Sequence, residues 1–194
     1  MKLARTASAA FALLVLTGCA SSAPHYYTLT TAADGSTSTT ARPAPFVLRV
    51  KPVTVAERLN QPQLVVHQRN GELLISDNAL WAAPLPEEIR AALTARLEHS
   101  LNTTDTSGLT PPADKPVIGV RVAVGQFDVW QGEKATIAAT WQLDFSKESG
   151  QITCQTQHQR AVQGGTQERV IIQQKLVQDV ADDIAVSVLR HRCG

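Results

Sequence analysis

A short apolar segment that ends in a cysteine opens the sequence. Lys2 and Arg5 supply a small positive region, and residues 7–16 form an apolar run that leads into Leu16-Thr17-Gly18-Cys19. A helix needs about 20 apolar residues to cross the hydrocarbon core of a bilayer, so this run of about ten is too short to span one. It has the length of the apolar region of an export signal. We therefore expect the folded part of the chain to lie after this segment.

The residues around Cys19 resemble the bacterial lipobox, whereas an ordinary secretory signal ends in an Ala-x-Ala-like site. The resemblance implies that the Cys19 sulfur takes a diacylglyceryl group, that the chain is cut before Cys19, and that the new amino terminus is acylated. The alternative is an uncleaved anchor, or a buried helix in which the cysteine is incidental. No other apolar run approaches the length of a membrane span, so attachment would depend on lipid alone.

Length and charge limit the class of protein. Removal of residues 1–18, the expected signal peptide, leaves 176 of the 194 residues, enough for one domain with a substantial core. We expect residues 19–45 to form a lipidated tether and a flexible loop, and residues 46–194 to form the folded domain. Without Lys2 and Arg5, 16 basic residues stand against 17 acidic ones. This near-neutral balance argues against a nucleic-acid partner, because binding phosphates requires clustered Lys and Arg.

Two cysteines remain if Cys19 is acylated. Cys154 and Cys193 would then be the only thiols in an exported chain, and an oxidising compartment favours a disulfide between them. The bond would attach the carboxyl-terminal helix to the third strand of a meander. The alternative is two unpaired, buried cysteines, because the sequence does not give the Cα separation that a disulfide needs.

Hydrophobic periodicity predicts two long helices and about six strands. The helices are expected at residues 81–101 and 166–190, with Thr166 as the N-cap of the second. The strands are expected at residues 46–50, 63–67, 72–76, 117–130, 135–145 and 152–162. Asn70-Gly71 between two apolar runs is a strong hairpin signal, since both residues tolerate positive φ. The predicted fold is an α/β sandwich of two or three layers, a mixed sheet with an antiparallel meander and two long helices.

Motifs for catalysis or metal binding do not emerge from the sequence. Its five histidines are scattered, and the pairing of His191 with Cys193 is better explained by solvent contact and a disulfide than by a metal ion. The acidic pairs Glu87-Glu88 and Asp182-Asp183 lie on predicted helices, where each is most simply a solvated surface. We therefore predict that the protein is not an enzyme, and we assign no catalytic residue, metal or cofactor.

Three segments taken together resemble one family. They are Tyr26-Tyr27-Thr28-Leu29 soon after Cys19, residues 59–65 followed by Trp81-Ala82-Ala83-Pro84-Leu85 before a helix, and a meander that ends in a carboxyl-terminal helix. Their order and spacing resemble the PqiC/YmbA family, the auxiliary lipoproteins of MCE-type intermembrane lipid transport systems. The chain departs from the family pattern at Ala83, where a charged residue is usual, and in its long Thr/Ser loop.

The resemblance implies a non-enzymatic subunit that is anchored in the outer membrane and faces the periplasm. Its expected partners are a periplasm-spanning MCE-domain protein, further copies of itself in a ring, and membrane lipid through the acylated Cys19. The implied role is to dock the transporter, to help phospholipid pass and to support membrane integrity. Ala20 is compatible with outer-membrane sorting, and the family fold resembles the N-terminal domain of TolB. The alternatives are a lipid-binding lipoprotein or a structural adaptor of another envelope complex.

The same segments supply the remaining candidate residues. Tyr26, Tyr27 and Leu29 are expected either to order the tether or simply to pack as a strand. The tryptophan segment, through Trp81, Pro84 and Leu85, is expected to seat the first helix, with contact to a partner as the alternative.

Overall fold

The computed structural model describes residues 23–31, 42–146 and 150–194. The predicted signal peptide and Cys19 lie outside these ranges. The described chain forms one eight-stranded mixed sheet and two long helices. In chain order the elements are β1 His25–Tyr27, β2 Val47–Val50, β3 Thr54–Val55, a short 3-10 helix Glu57–Leu59, β4 Gln63–His67, β5 Leu73–Trp81, α1 Leu85–Leu101, β6 Val117–Trp130, β7 Lys134–Phe145, β8 Gly150–Ala161 and α2 Thr166–Arg190.

The sheet has β1 at one edge and β8 at the other, in the order β1-β5-β4-β6-β7-β8. The short strands β2 and β3 run parallel to β6 and pair with it. The end of β4 also pairs with β6 in parallel, through His67 and Trp130. The strand β1 runs parallel to β5, whereas β4 and β5 form an antiparallel hairpin. The parallel pairs join segments that are far apart in the sequence.

The antiparallel meander β6-β7-β8 confirms the prediction for residues 117–162. Alternation along these strands places one set of side chains under the helices and the other in solvent. Val122, Trp141 and Cys154 share one cross-strand row and are buried, while the neighbouring row of Arg121 and Gln142 is exposed or half-buried. The sheet therefore carries helices on one face only, and the fold has two layers.

The two helices cover that face side by side. The apolar stripe of α1 is buried as its spacing of four predicts, through Leu85, Ile89, Leu93, Leu97 and Leu101. The helix α2 spans the residues predicted for it. Arg96 on α1 donates two hydrogen bonds of 2.8 Å to Asp182 on α2, so a bidentate ion pair joins the helices.

The structure corrects the predicted start of the first helix. Trp81 is the last residue of β5, which extends five residues beyond the predicted strand end, and α1 begins at Leu85. The extension has a physical cause, because the second half of β5 pairs with β1 on one side and Trp81 N donates to the Pro62 carbonyl on the other.

Two smaller predictions are also wrong. Gly165 is the N-cap of α2, and Thr166 is its first helical residue. The sheet has eight strands where the sequence predicted about six. The strand β1 lies in the segment expected either to order the tether or to pack as a strand, whereas β3, only two residues long, was not predicted. Such short strands exist through pairing with distant segments, and they leave little periodicity in the sequence.

Candidate functional site

The segment that leads from the predicted tether into the domain is the candidate functional site. It begins with β1, where His25 pairs with Ala79 and Tyr27 with Trp81. The Tyr27 carbonyl also accepts a 2.8 Å hydrogen bond from Ala82 N, one residue beyond the end of β5. Tyr26 is 65 % exposed and Tyr27 is half-buried against the core. This segment is therefore an edge strand of the sheet.

Glu88 holds the residues that follow β1. Its Oε2 accepts a 2.7 Å hydrogen bond from the Thr28 hydroxyl and a 2.8 Å bond from Leu29 N. On the other side, Gln174 Nε2 of α2 donates to the Thr28 carbonyl at 2.9 Å. Leu29 is only 1 % exposed and belongs to the main core. We call Thr28, Leu29, Glu88 and Gln174 the tether clamp, because they fix the end of the tether to both helices.

Glu88 overturns the prediction that Glu87-Glu88 is a solvated pair. Glu87 is exposed, but Glu88 is 5 % exposed and carries the clamp. A helical projection supplies the signal that was missed, since Glu88 lies three residues after Leu85 and four before Ala92 and therefore on the buried face. The carboxylate also lies in the first turn of α1, where the helix dipole favours negative charge.

The second acidic pair is not simply solvated either. The Asp182 carboxylate accepts a hydrogen bond from the Arg96 guanidinium. The Asp183 Oδ2 atom lies 2.8 Å from His158 Nε2 on β8. Adjacent carboxylates on α2 therefore reach in two directions, one toward α1 and one toward the sheet edge.

The tryptophan segment forms the junction between β5 and α1. The Trp81 ring is buried, with its centroid 6.4 Å from that of Phe127. Pro84 is the N-cap of α1, and its carbonyl accepts hydrogen bonds from Glu87 N and Glu88 N. Leu85 is buried at the first helical position. These residues set the start of α1 and thereby the position of Glu88 in the tether clamp.

A buried carboxylate lies beside the Leu59–Val65 segment. Asp128 is 5 % exposed and accepts a 2.7 Å hydrogen bond from Arg58 Nη1, and its Oδ1 lies 3.2 Å from His67 Nε2. The hydrogen bond to Asp128 raises the pKa of the Arg58 guanidinium, against a smaller opposing effect of burial. The His67 ring stacks on Trp130 with centroids 4.9 Å apart. This cluster ties the 3-10 helix to the end of β6 and is fully explained as a structural ion pair.

A disulfide joins Cys154 of β8 to Cys193, with the Cα atoms 5.6 Å apart. The same strand is linked to α2 by Arg160, which donates two hydrogen bonds to Asp179 that raise the pKa of its guanidinium. His191, which follows α2, stacks on Phe145 with ring centroids 4.5 Å apart. The β8 edge is thus attached to the end of α2.

The described residues hold no group of three or more His, Cys, Asp or Glu side chains arranged for a metal ion. Neither helix in the described ranges combines the length and apolarity that a membrane span requires. A surface groove of about 770 Å³ lies between β2 and α1, and charged residues including Arg49, Lys51 and Arg90 line it.

Residues 27–185 match the family described as ABC-type transport auxiliary lipoprotein component. The chain belongs to this family. The match covers the sheet from the end of β1 and most of α2, so it includes the whole tether clamp. The resemblance to the PqiC/YmbA lipoproteins is confirmed, and the family is one of transport auxiliary lipoproteins and not of enzymes.

Individual relatives agree with the family. The chain is 29 % identical over 135 residues to the intermembrane transport lipoprotein PqiC of Escherichia coli strain K12, a match that covers 69 % of this chain and 71 % of the relative. The Shigella flexneri protein of the same name gives the same values.

Two solved structures share the fold. One, of an uncharacterized protein, has a TM-score of 0.68 at 20 % identity and covers 86 % of this chain and 99 % of its own. A Xanthomonas campestris protein has a TM-score of 0.60 at 16 % identity and covers 87 % and 94 %. The chain therefore shares its overall fold with both of these structures.

Proposed function

We propose that this protein is an outer-membrane-anchored periplasmic subunit of an MCE-type intermembrane phospholipid transport system. The observation that carries the proposal is the family match over residues 27–185, together with the likeness to a lipoprotein whose name specifies intermembrane transport. In this proposal residues 1–18 are removed and acyl chains on Cys19 hold the domain at the membrane. The domain docks the end of an MCE-domain protein that crosses the periplasm, as a homo-oligomeric ring.

The tether clamp supports this role in physical terms. Six residue steps separate Cys19 from His25, and an extended chain of that length reaches at most about 20 Å. At Thr28 and Leu29 the chain is fixed to both helices by Glu88 and Gln174. A short connection to a rigid attachment point keeps the domain close to the lipid surface, as a docking subunit requires.

Mass spectrometry and membrane fractionation test the anchor. The mature protein should begin at Cys19, carry acyl groups and fractionate with the outer membrane. Cys19→Ala is the matched control, and it should abolish acylation. A mature chain that begins elsewhere, or one found in the inner membrane, would contradict this part of the proposal.

Co-purification tests the partner. We expect the tagged lipoprotein, extracted in mild detergent, to retain an MCE-domain protein and to elute as an oligomer. Cells that lack the lipoprotein should become more sensitive to detergent, and the wild-type gene should restore resistance. Recovery of a different envelope complex without any MCE-domain protein would assign the lipoprotein to another assembly.

A further inference from the structure

The first residues of β5, next to the polar turn at residues 68–72 of the β4-β5 hairpin, are apolar on both sides of the strand. Leu73, Leu74 and Ile75 are 47 %, 46 % and 45 % exposed, although they are consecutive residues of a strand. Successive strand residues point to opposite faces, so a strand that covers a core buries only alternate ones. Burial resumes at Ala79 and Trp81, toward the other end of the strand, where β5 pairs with β1. We call residues 73–75 the hairpin end.

The tether leaves the sheet toward this hairpin end. The strands β1 and β5 are parallel, with His25 beside Ala79, so the chain that precedes His25 departs in the direction of Leu73. Cys19 lies six residues before His25, and Leu73 lies six residues before Ala79. Six residues span about 20 Å in an extended chain. The farthest position that the tether allows for Cys19 is therefore about level with the hairpin end.

The surroundings of the hairpin end favour lipid as its occupant. Two charges of each sign lie at this end of the sheet. Arg69 pairs with Glu133 at 2.8 Å, Lys134 lies over the Trp130 ring and Glu72 lies in the turn, so the charges balance and an electrostatic partner is not indicated. Trp130, half-buried against His67, lies at the same end of the sheet, and tryptophan is enriched where protein meets the bilayer surface. Lipid would contact both faces of the hairpin end at once, whereas a folded protein partner would cover mainly one face.

We propose that the hairpin end inserts into the lipid surface as a second, non-covalent membrane contact that orients the domain. The inference rests on the proposed acylation of Cys19, which sets the distance to the bilayer. Insertion points the opposite end of the sheet, where β6 begins, away from the membrane. The loop containing Leu109 lies there, because Thr106 and Ser107 bond to the carbonyls of β2 beside the first residues of β6.

Site-directed spin labelling of the full-length, acylated protein tests the proposal. Single nitroxides are attached to Leu73→Cys and Leu74→Cys, which sample the two faces of the ribbon. The matched controls are Leu109→Cys and Leu189→Cys, which replace leucines that are 70 % and 66 % exposed. The protein is reconstituted into vesicles of phosphatidylethanolamine and phosphatidylglycerol. Collision rates with oxygen, which concentrates in lipid, are compared with those of a water-soluble nickel chelate.

We expect oxygen accessibility to exceed nickel accessibility severalfold at both hairpin positions and the reverse at both control positions. Labels at 73 and 74 that match the controls would overturn the proposal. Shielding of only one hairpin label, or spin–spin coupling between copies, would assign the surface to a protein contact and would also overturn it. Mass spectrometry of the same sample distinguishes a failure of the insertion proposal from a failure of the proposed acylation of Cys19. Acylated protein with a solvated hairpin refutes only the insertion, whereas protein that is not acylated refutes both.

Discussion

The two edges of the sheet are fixed to the helices by different chemistry. At the β1 edge, a three-residue strand depends on hydrogen bonds from Thr28 and Leu29 to Glu88. At the β8 edge, a twelve-residue strand carries a disulfide to Cys193, three residues beyond the end of α2. A short strand has too few ladder bonds to hold itself, so it needs contacts that stabilise the native state. A long strand already has its ladder, and a disulfide adds stability mainly by restricting the unfolded chain.

Loss of the disulfide is expected to have the largest effect. The double variant Cys154→Ala/Cys193→Ala removes a cross-link over a sequence separation of 39 residues. The chain-entropy model gives a decrease of about 4 kcal/mol in the free energy of unfolding. Urea denaturation with and without reductant measures it, and reductant should leave the double variant unchanged. Free thiols in the oxidised, denatured wild type would show that the bond does not form.

Removal of the clamp carboxylate should rank second. Glu88→Ala leaves the Thr28 hydroxyl and Leu29 N without their acceptor, and we expect a loss of about 2–3 kcal/mol in the free energy of unfolding. Hydrogen exchange at the Leu29 amide should accelerate as well. The control is Glu87→Ala at the adjacent exposed position, which should change stability by less than about 0.5 kcal/mol. Equal effects of the two variants would show that the clamp contributes nothing.

A smaller change to the clamp tests whether its bonds act together. Thr28→Val removes one donor and leaves Leu29 N on Glu88, with an expected loss of about 1 kcal/mol. In a double-mutant cycle with Glu88→Ala, the two effects should not be additive, because both variants remove the same interaction. Strict additivity would mean that Thr28 and Glu88 act independently.

The smallest effect is expected from the ion pair at the β8 edge. Arg160→Ala removes the guanidinium from Asp179, but the arginine side chain is 42 % exposed. Solvent screening limits such a pair to about 0.5 kcal/mol, and the effect should shrink at high salt. Thermal unfolding at low and high salt measures it. A loss of stability larger than that of Glu88→Ala would show that the ion pair at the β8 edge stabilises the fold more than the tether clamp at the β1 edge does.

Local patterns in the sequence were sufficient for the longer elements. The strand at Gln63–His67 and the helix at Thr166–Arg190 follow from alternation and helical periodicity, which depend on neighbouring residues alone. The meander follows in the same way. The parallel pairs could not be predicted, because β1 meets β5 more than 50 residues later in the chain. The sequence pattern placed Trp81 in the first helix for this reason, because the pairing with β1 that extends β5 to Trp81 is not visible in the local pattern.

The candidate site was predicted only in part. Tyr27, Leu29 and the tryptophan segment were identified from their resemblance to family motifs, but the group that joins them was not. Glu88 and Gln174 are polar residues on amphipathic helices, and most such residues face water. Their partners are 59 or more residues away in sequence. The residues next to Glu88 and Gln174 in the chain do not indicate which distant groups they contact. The position of Glu88 on the apolar face of α1 did indicate that it is buried.

The parallel register of β1 determines how the domain responds to mechanical load. A pull on the tether acts along β1, in line with β5, so it loads the hydrogen bonds between these strands together in shear. Behind the ladder, the carboxylate of Glu88 opposes the same displacement. A force that reaches β1 along the preceding residues is thus shared among several bonds.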